Sequence, residues 1–81
     1  MEDRIRKEQV ALGKRLKALR KLRNLSQLDI EVATGIPNAD ISRIENGKTN
    51  PELVTLIRLA IALDVPVAEI FNYERDLPES L

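Results

Sequence analysis

Ser26-Gln27-Leu28-Asp29-Ile30-Glu31-Val32-Ala33-Thr34-Gly35-Ile36-Pro37-Asn38-Ala39-Asp40-Ile41-Ser42-Arg43-Ile44-Glu45-Asn46 is the stretch that decides the fold. Ser26 supplies an N-cap hydroxyl and Asp29, three residues on, a carboxylate that caps in return, so a helix opens at Ser26. Gly35 tolerates the left-handed backbone that closes a helix, and Pro37, suited to a first helical position, starts the next one almost at once. Two short helices joined by so tight a turn must cross steeply. The second is predicted to run from Pro37 to Asn46, where Asn46-Gly47 stops it. At about 100° per residue, Pro37, Ile41 and Ile44 fall on one side and Ala39, Ser42, Arg43 and Asn46 on the other, with Asn38 at the near flank. The outward side is small and polar and carries one arginine.

Upstream, Ile5, Leu12, Leu16, Leu19 and Leu22 recur at helical spacing and predict a long helix over 4–23, with Gly13 as its weak point. Lys14, Lys17 and Lys21 share one face of it, read first as a solvated basic stripe. Asn24-Leu25 breaks this helix. Downstream, Asn50-Pro51-Glu52 reads as N-cap, first helical residue and an acid that suits the helix dipole. The helix so launched is expected to turn Leu53, Leu56, Ile57, Ala60 and Leu63 inward and to end at Asp64. After Val65-Pro66 a final helical turn or two would bury Val67, Ile70 and Phe71. The expected fold is all-α, a bundle of about five helices over 1–71, followed by a short polar, frayed tail over 72–81.

With 81 residues there is room for one domain. The absence of Cys and His excludes disulfides, the usual zinc constellations and Cys or His nucleophiles, and points to reducing cytoplasm. The longest apolar run, Leu59 to Leu63, is far short of the roughly 20 residues of a membrane span, and the charged Glu2-Asp3-Arg4 is no secretion signal. The carboxylates Asp29, Glu31, Glu45 and Glu52 gather around no evident cleft and no glycine-rich phosphate loop exists, so neither catalysis nor a cofactor or metal is expected. The 13 basic and 13 acidic residues cancel, yet residues 1–25 carry nine Lys or Arg against three acids, while residues 51–81 carry two against six. Such a polarised field suits one face toward phosphate and the other toward solvent or a second subunit.

Ser26-Gln27, Gly35-Ile36, Ile41-Ser42-Arg43-Ile44-Glu45-Asn46-Gly47-Lys48, Asn50-Pro51 and Leu63-Asp64-Val65 resemble the Cro/cI-type (XRE family) helix-turn-helix domains, from roughly Leu12 to Phe71. The resemblance implies a lambda-repressor-like fold whose second and third helices form the helix-turn-helix. It also implies a transcriptional regulator of bacterial, phage or mobile-element origin that binds double-stranded DNA, most simply as a homodimeric repressor on a palindromic operator. Carried over residue by residue, it sets Gln27 against a phosphate and the third helix in the major groove, which at about 12 Å wide admits one helix. Asn38 would then suit adenine, Arg43 guanine and Ala39 a thymine methyl, with Ser42 on the same face and Asn46 and Lys48 clamping the backbone. Asp40 reads first as a partner of the helix N-terminus. Glu45 falls beside the inward face of Ile41 and Ile44, where a carboxylate needs a cation, and Arg20 is the candidate, a pairing the resemblance supports. The apolar Val65, Val67, Ile70 and Leu77 are the expected dimer surface. Three positions depart from the family pattern: Glu31 replaces a small Ala, Pro37 a hydroxyl cap and Asp64 a Gly. The rival function is an antitoxin or other protein-interaction module on the same scaffold, with an unknown protein partner.

Overall fold

In the computed structural model, which describes residues 1–73, α1 spans Glu2–Leu22, α2 Gln27–Thr34, α3 Asn38–Glu45 and α4 Leu53–Ala62, and a 3-10 helix at Val67–Phe71 closes the chain. The first turn of α1 carries Glu2 and Asp3 and its last turn Arg20 and Lys21, the charge order that complements a helix dipole. Its buried residues run from Gly13 to Arg20. Leu16 and Leu19 are buried and Leu12 packs against them, whereas Ile5 and Leu22, expected on the apolar stripe, are 45% and 78% exposed. Beyond Arg23 the backbone turns left-handed at Asn24, with φ of 57°, which ends the helix.

α2 opens with the reciprocal cap expected of Ser26 and Asp29. The Asp29 N–H donates to Ser26 Oγ at 3.0 Å, and the Ser26 N–H donates to the Asp29 carboxylate at 2.8 Å. Donation from Ser26, through its backbone N–H first and its hydroxyl second, holds the Asp29 carboxyl below its ordinary pKa. Gly35 closes α2 at φ 77°, in the region where a side chain would be strained.

α3 and α4 both begin later than their sequence signals suggest. Pro37 is the N-cap of α3, extended at φ −56° and ψ 139°, and its carbonyl accepts from the Asp40 and Ile41 N–H groups. Pro51 is likewise outside α4, whose N-cap is Glu52. In α4 Leu56, Leu59 and Ala60 are buried, with Leu63 just beyond, while Leu53 and Ile57, expected inward, are 64% and 36% exposed. All of this helix but Thr55 and Arg58 is apolar, so periodicity alone does not say which part of that wide surface the core takes.

The core joins Leu16 and Leu19 of α1, Ile30 and Ile36 around α2, Ile41 and Ile44 of α3, the inner face of α4 and Ile70. Ile70 has no exposed surface, and the partly buried Val65 and Val67 pack against the core, so all three help to close the fold and Ile70 is not open to a second subunit. Leu77 and the frayed tail lie outside the described residues. Phe71, expected inside, is 46% exposed. Arg15 ties the 3-10 helix to α1 through its bonds to the Glu69 carbonyl at 2.9 Å and carboxylate at 3.0 Å. Among the described residues no helix is long and apolar enough to cross a membrane.

Candidate nucleic-acid interface

Everything that fixes α3 acts from its inner side and its two ends. Ile41 and Ile44 anchor it in the core. At its C-terminal end Arg20 grips Glu45 with two parallel bonds, Nε to Oε2 at 2.7 Å and Nη2 to Oε1 at 3.0 Å, both residues being buried. The guanidinium also donates through Nη1 to the Leu25 carbonyl at 2.8 Å, so the turn before α2 joins the same network. Hydrogen bonding to Glu45 raises Arg20 above its ordinary pKa against the opposing effect of burial, and it stays charged at any working pH. Removing one partner from such a pair leaves a buried charge alone, at about 3–5 kcal/mol. The Gln27 amide donates to the same Glu45 Oε1 at 3.1 Å. An amide has a second N–H and an acceptor oxygen, so Gln27 is oriented by this bond with a donor to spare for a phosphate.

The N-terminal end of α3 is held by a residue that the sequence alone did not single out for that task. Pro37 offers no side-chain cap. The Glu31 carboxylate of α2 accepts instead from the Asn38 N–H at 2.9 Å, satisfying one of the four unpaired donors at that helix start and placing a negative charge at its positive end. Glu31 and Pro37 are therefore two halves of one arrangement, the cap having moved from the helix's own first residue to the preceding helix. The available signal was a carboxylate facing a helix that starts without a capping side chain.

A close approach sets the C-terminal end. A Cβ on Gly13 would lie 2.5 Å from the carbonyl oxygens of both Ile44 and Glu45, and one on Gly47 would lie 2.8 Å from the Val10 Cα. Gly13 is thus no mere weak point in α1. It is where α3 lands, with Val10 beneath the turn that follows.

Asn38, Ala39, Asp40, Arg43 and Asn46 are left exposed on the outer side of α3, with Ser42 half-buried among them. Arg43 Nη1 donates to Asp40 Oδ1 at 2.6 Å, three residues back on the same helix. An exposed pair of this kind adds about 0–1 kcal/mol to stability. Its larger effect is geometric, since it draws Arg43 along the helix and leaves the Nε/Nη2 edge for a second, two-bond contact. Asn46 Nδ2 donates to Ser42 Oγ at 3.4 Å, and the Lys48 N–H donates to the Arg43 carbonyl at 2.9 Å, fixing an exposed lysine just past the helix end. Arg58 of α4, which the sequence reading passed over, lines a polar cleft together with Asp40, Arg43, Asn50 and Glu52. On the rest of α4, Leu53, Val54, Ile57 and Ile61 form an exposed apolar row. Among the described residues no group of His, Cys, Asp or Glu is placed to hold a metal ion.

Comparison with known proteins agrees with this architecture. Residues 16–70 match the HTH_3 helix-turn-helix family model. An HTH-type transcriptional regulator of Haemophilus influenzae is 41% identical over 64 residues, 76% of this chain and 65% of that protein. The HTH-type transcriptional repressor RghR of Bacillus subtilis is 42% identical over 57 residues, 69% of this chain and 42% of that protein. The chain thus spans between two fifths and two thirds of the length of these relatives. The crystal structure of the restriction-modification controller protein C.AhdI from Aeromonas hydrophila superposes with a TM-score of 0.75 at 35% identity, over 76% of this chain and 94% of that one.

Proposed function

This chain belongs to the HTH_3 family of Cro/cI-type helix-turn-helix transcriptional regulators, which are not enzymes, and from that premise we propose that it is a sequence-specific repressor that binds a palindromic operator as a homodimer in the cytoplasm. The observation that carries this is the division of labour in α3. Its inner residues and both ends are committed to the fold, while Asn38, Ala39 and Arg43 stand free of the core on a face with the hydrogen-bonding groups that base edges require. Asn38 pairs with adenine, Arg43 with guanine, and Ala39 meets a thymine methyl, while Gln27, Ser42, Asn46 and Lys48 hold sugar and phosphate.

One recognition helix offers too few base contacts, each good pair adding about 1–3 kcal/mol of discrimination, so two copies share the task. They meet through the exposed apolar row Leu53, Val54, Ile57 and Ile61 of α4, which offers more open surface than the partly buried Val65 and Val67 or the enclosed Ile70. Two-fold symmetry makes the operator an inverted repeat, and one turn of the duplex, about 34 Å, sets its half-sites on one side of the DNA. Bound to an operator that overlaps a promoter, the dimer excludes polymerase.

Selection of bound duplexes from a random library, run in parallel with Arg43→Ala, tests these points together. The expected result is an inverted repeat whose preference relaxes at one base pair per half-site in the variant. No enrichment at low salt would overturn the proposal and turn attention to a protein partner.

A further inference from the structure

The basic stripe of α1 has no role in the contacts described so far, and its position relative to α3 gives it one. Val10 and Gly13 of α1 lie directly against the end of α3 and its following turn. Arg6 lies one helical turn before Val10, Lys14 one turn after it, and Lys17 one turn after Gly13. The three cations therefore bracket the C-terminal end of the recognition helix, on the flank of α1 beside Gly47 and Lys48. All three are exposed, and none has an ion-pair partner among the described residues. The other edge of the same helix differs: there Arg15 is bound to Glu69, and Arg4 lies 3.9 Å from Glu8. Arg6 and Lys14 also precede the residues matched by the family model.

We infer that Arg6, Lys14 and Lys17 form a second phosphate clamp, which grips the DNA backbone along the wall of the groove that α3 enters and lengthens the footprint past the bases α3 reads. This rests on the proposal that α3 binds duplex DNA. The row from Arg6 to Lys17 covers about 16 Å of helix axis, the rise of about five nucleotides of one strand. A line of cations on a rigid helix matches a line of phosphates, and it carries no sequence information of its own. The competing role for the same charges is to stabilise the negative C-terminal end of α3.

Salt dependence separates the two. Affinity of the full chain is measured between 50 and 200 mM salt, by the ordinary titration range for such contacts, on a duplex enriched in the selection experiment and on a mixed-sequence duplex of equal length. The variants are Lys14→Gln, Lys17→Gln and their combination with Arg6→Gln, with Arg4→Gln as an equal charge loss on the opposite edge. Each lost phosphate contact should flatten the plot of log affinity against log salt by about 0.9, a three- to fourfold smaller loss of affinity over that range. The clamp predicts this flattening on both duplexes, with the base preference and the melting temperature unchanged, and no effect of Arg4→Gln. Wild-type slopes in the three variants would overturn the clamp while leaving α3 as the reader. So would a lowered melting temperature at unchanged slope, which assigns the charges to the α3 end, or an equal effect of Arg4→Gln, which assigns them to net charge. Absence of binding by the wild-type chain on either duplex would overturn both the clamp and the proposed function.

Discussion

Replacing Glu31 by Ala should loosen the start of the recognition helix, and the size of the effect can be worked from one hydrogen bond. The carboxylate accepts from the Asn38 N–H at 2.9 Å in an exposed position, and Pro37 supplies no side-chain cap of its own. Loss of a helix cap costs about 0.5–2 kcal/mol, and an exposed donor that water can satisfy belongs at the lower end. Ala gains a few tenths of a kcal/mol over Glu within α2, which the lost attraction between the carboxylate and the helix start, about 0.3–1 kcal/mol, offsets, leaving a net loss of about 0.5 kcal/mol or somewhat more. For a domain of this size that is about 2–5 °C in melting temperature. The sharper test is the response to Pro37→Ser. In the wild type this change removes a rigid residue and should destabilise slightly, since a proline at a compatible site stabilises by about 0.4–1 kcal/mol. In the Glu31→Ala background the same serine restores a hydroxyl where the Asp40 N–H can reach it, and it should stabilise. Thermal unfolding of the four proteins, followed by circular dichroism, gives the coupling energy directly. Additive effects, with serine destabilising both backgrounds alike, would refute the view that Glu31 and Pro37 are halves of one cap.

Three further outcomes are expected. Gly13→Ala should lower the melting temperature although Ala favours helices by about 1 kcal/mol, because the added methyl meets two backbone carbonyl oxygens at 2.5 Å and overpacking costs about 1–3 kcal/mol; a rise would show that α1 and α3 part easily. Arg20→Ala should lose about 3–5 kcal/mol in chemical denaturation, and the double variant with Glu45→Ala should lose less than the two single variants added together; unchanged stability would sink the account of the buried pair. Asp29 has its pKa lowered on folding, so its stabilising effect is complete above about pH 4 and is lost as pH falls through the lowered folded value. Melting curves of wild type and Asp29→Asn across that acid range should therefore converge, and parallel curves would count against the cap as the cause.

What was legible in the sequence was local or faced one way. Ser26, Asp29 and Gly35 act within a few residues of themselves, so the bounds of α2 follow from the chain alone. Arg20 and Glu45 are distant in sequence, yet a carboxylate next to two inward isoleucines demands a cation, and that demand is visible without coordinates. The rest depended on how helices lie against each other. Pro37 and Pro51 each carry the signature of a first helical residue and each stands just outside the helix, a shift within the usual uncertainty of helix ends. Leu53 and Ile57 look like core because all of α4 but Thr55 and Arg58 is apolar, and only packing selects the side of Leu56, Leu59 and Ala60. Gly13 reads as a flaw in a helix until α3 is seen to rest on it. Of the dimer residues expected near the C-terminal end, Ile70 is wholly enclosed by the core, with Val65 and Val67 partly buried against it.

The migration of the cap from residue 37 to Glu31 bears on how such a protein changes its target over time. A recognition helix that supplies its own capping side chain must keep a hydroxyl or short acid at its entrance, next to the residues that choose the bases. Here that duty belongs to the helix behind, through a bond to the Asn38 backbone that any residue but proline at position 38 would preserve. Under the proposed function positions 38, 39 and 43 face the bases, and since the bonds that hold the two ends of α3 come from Glu31 and Arg20, substitutions there change the operator read with little loss of fold.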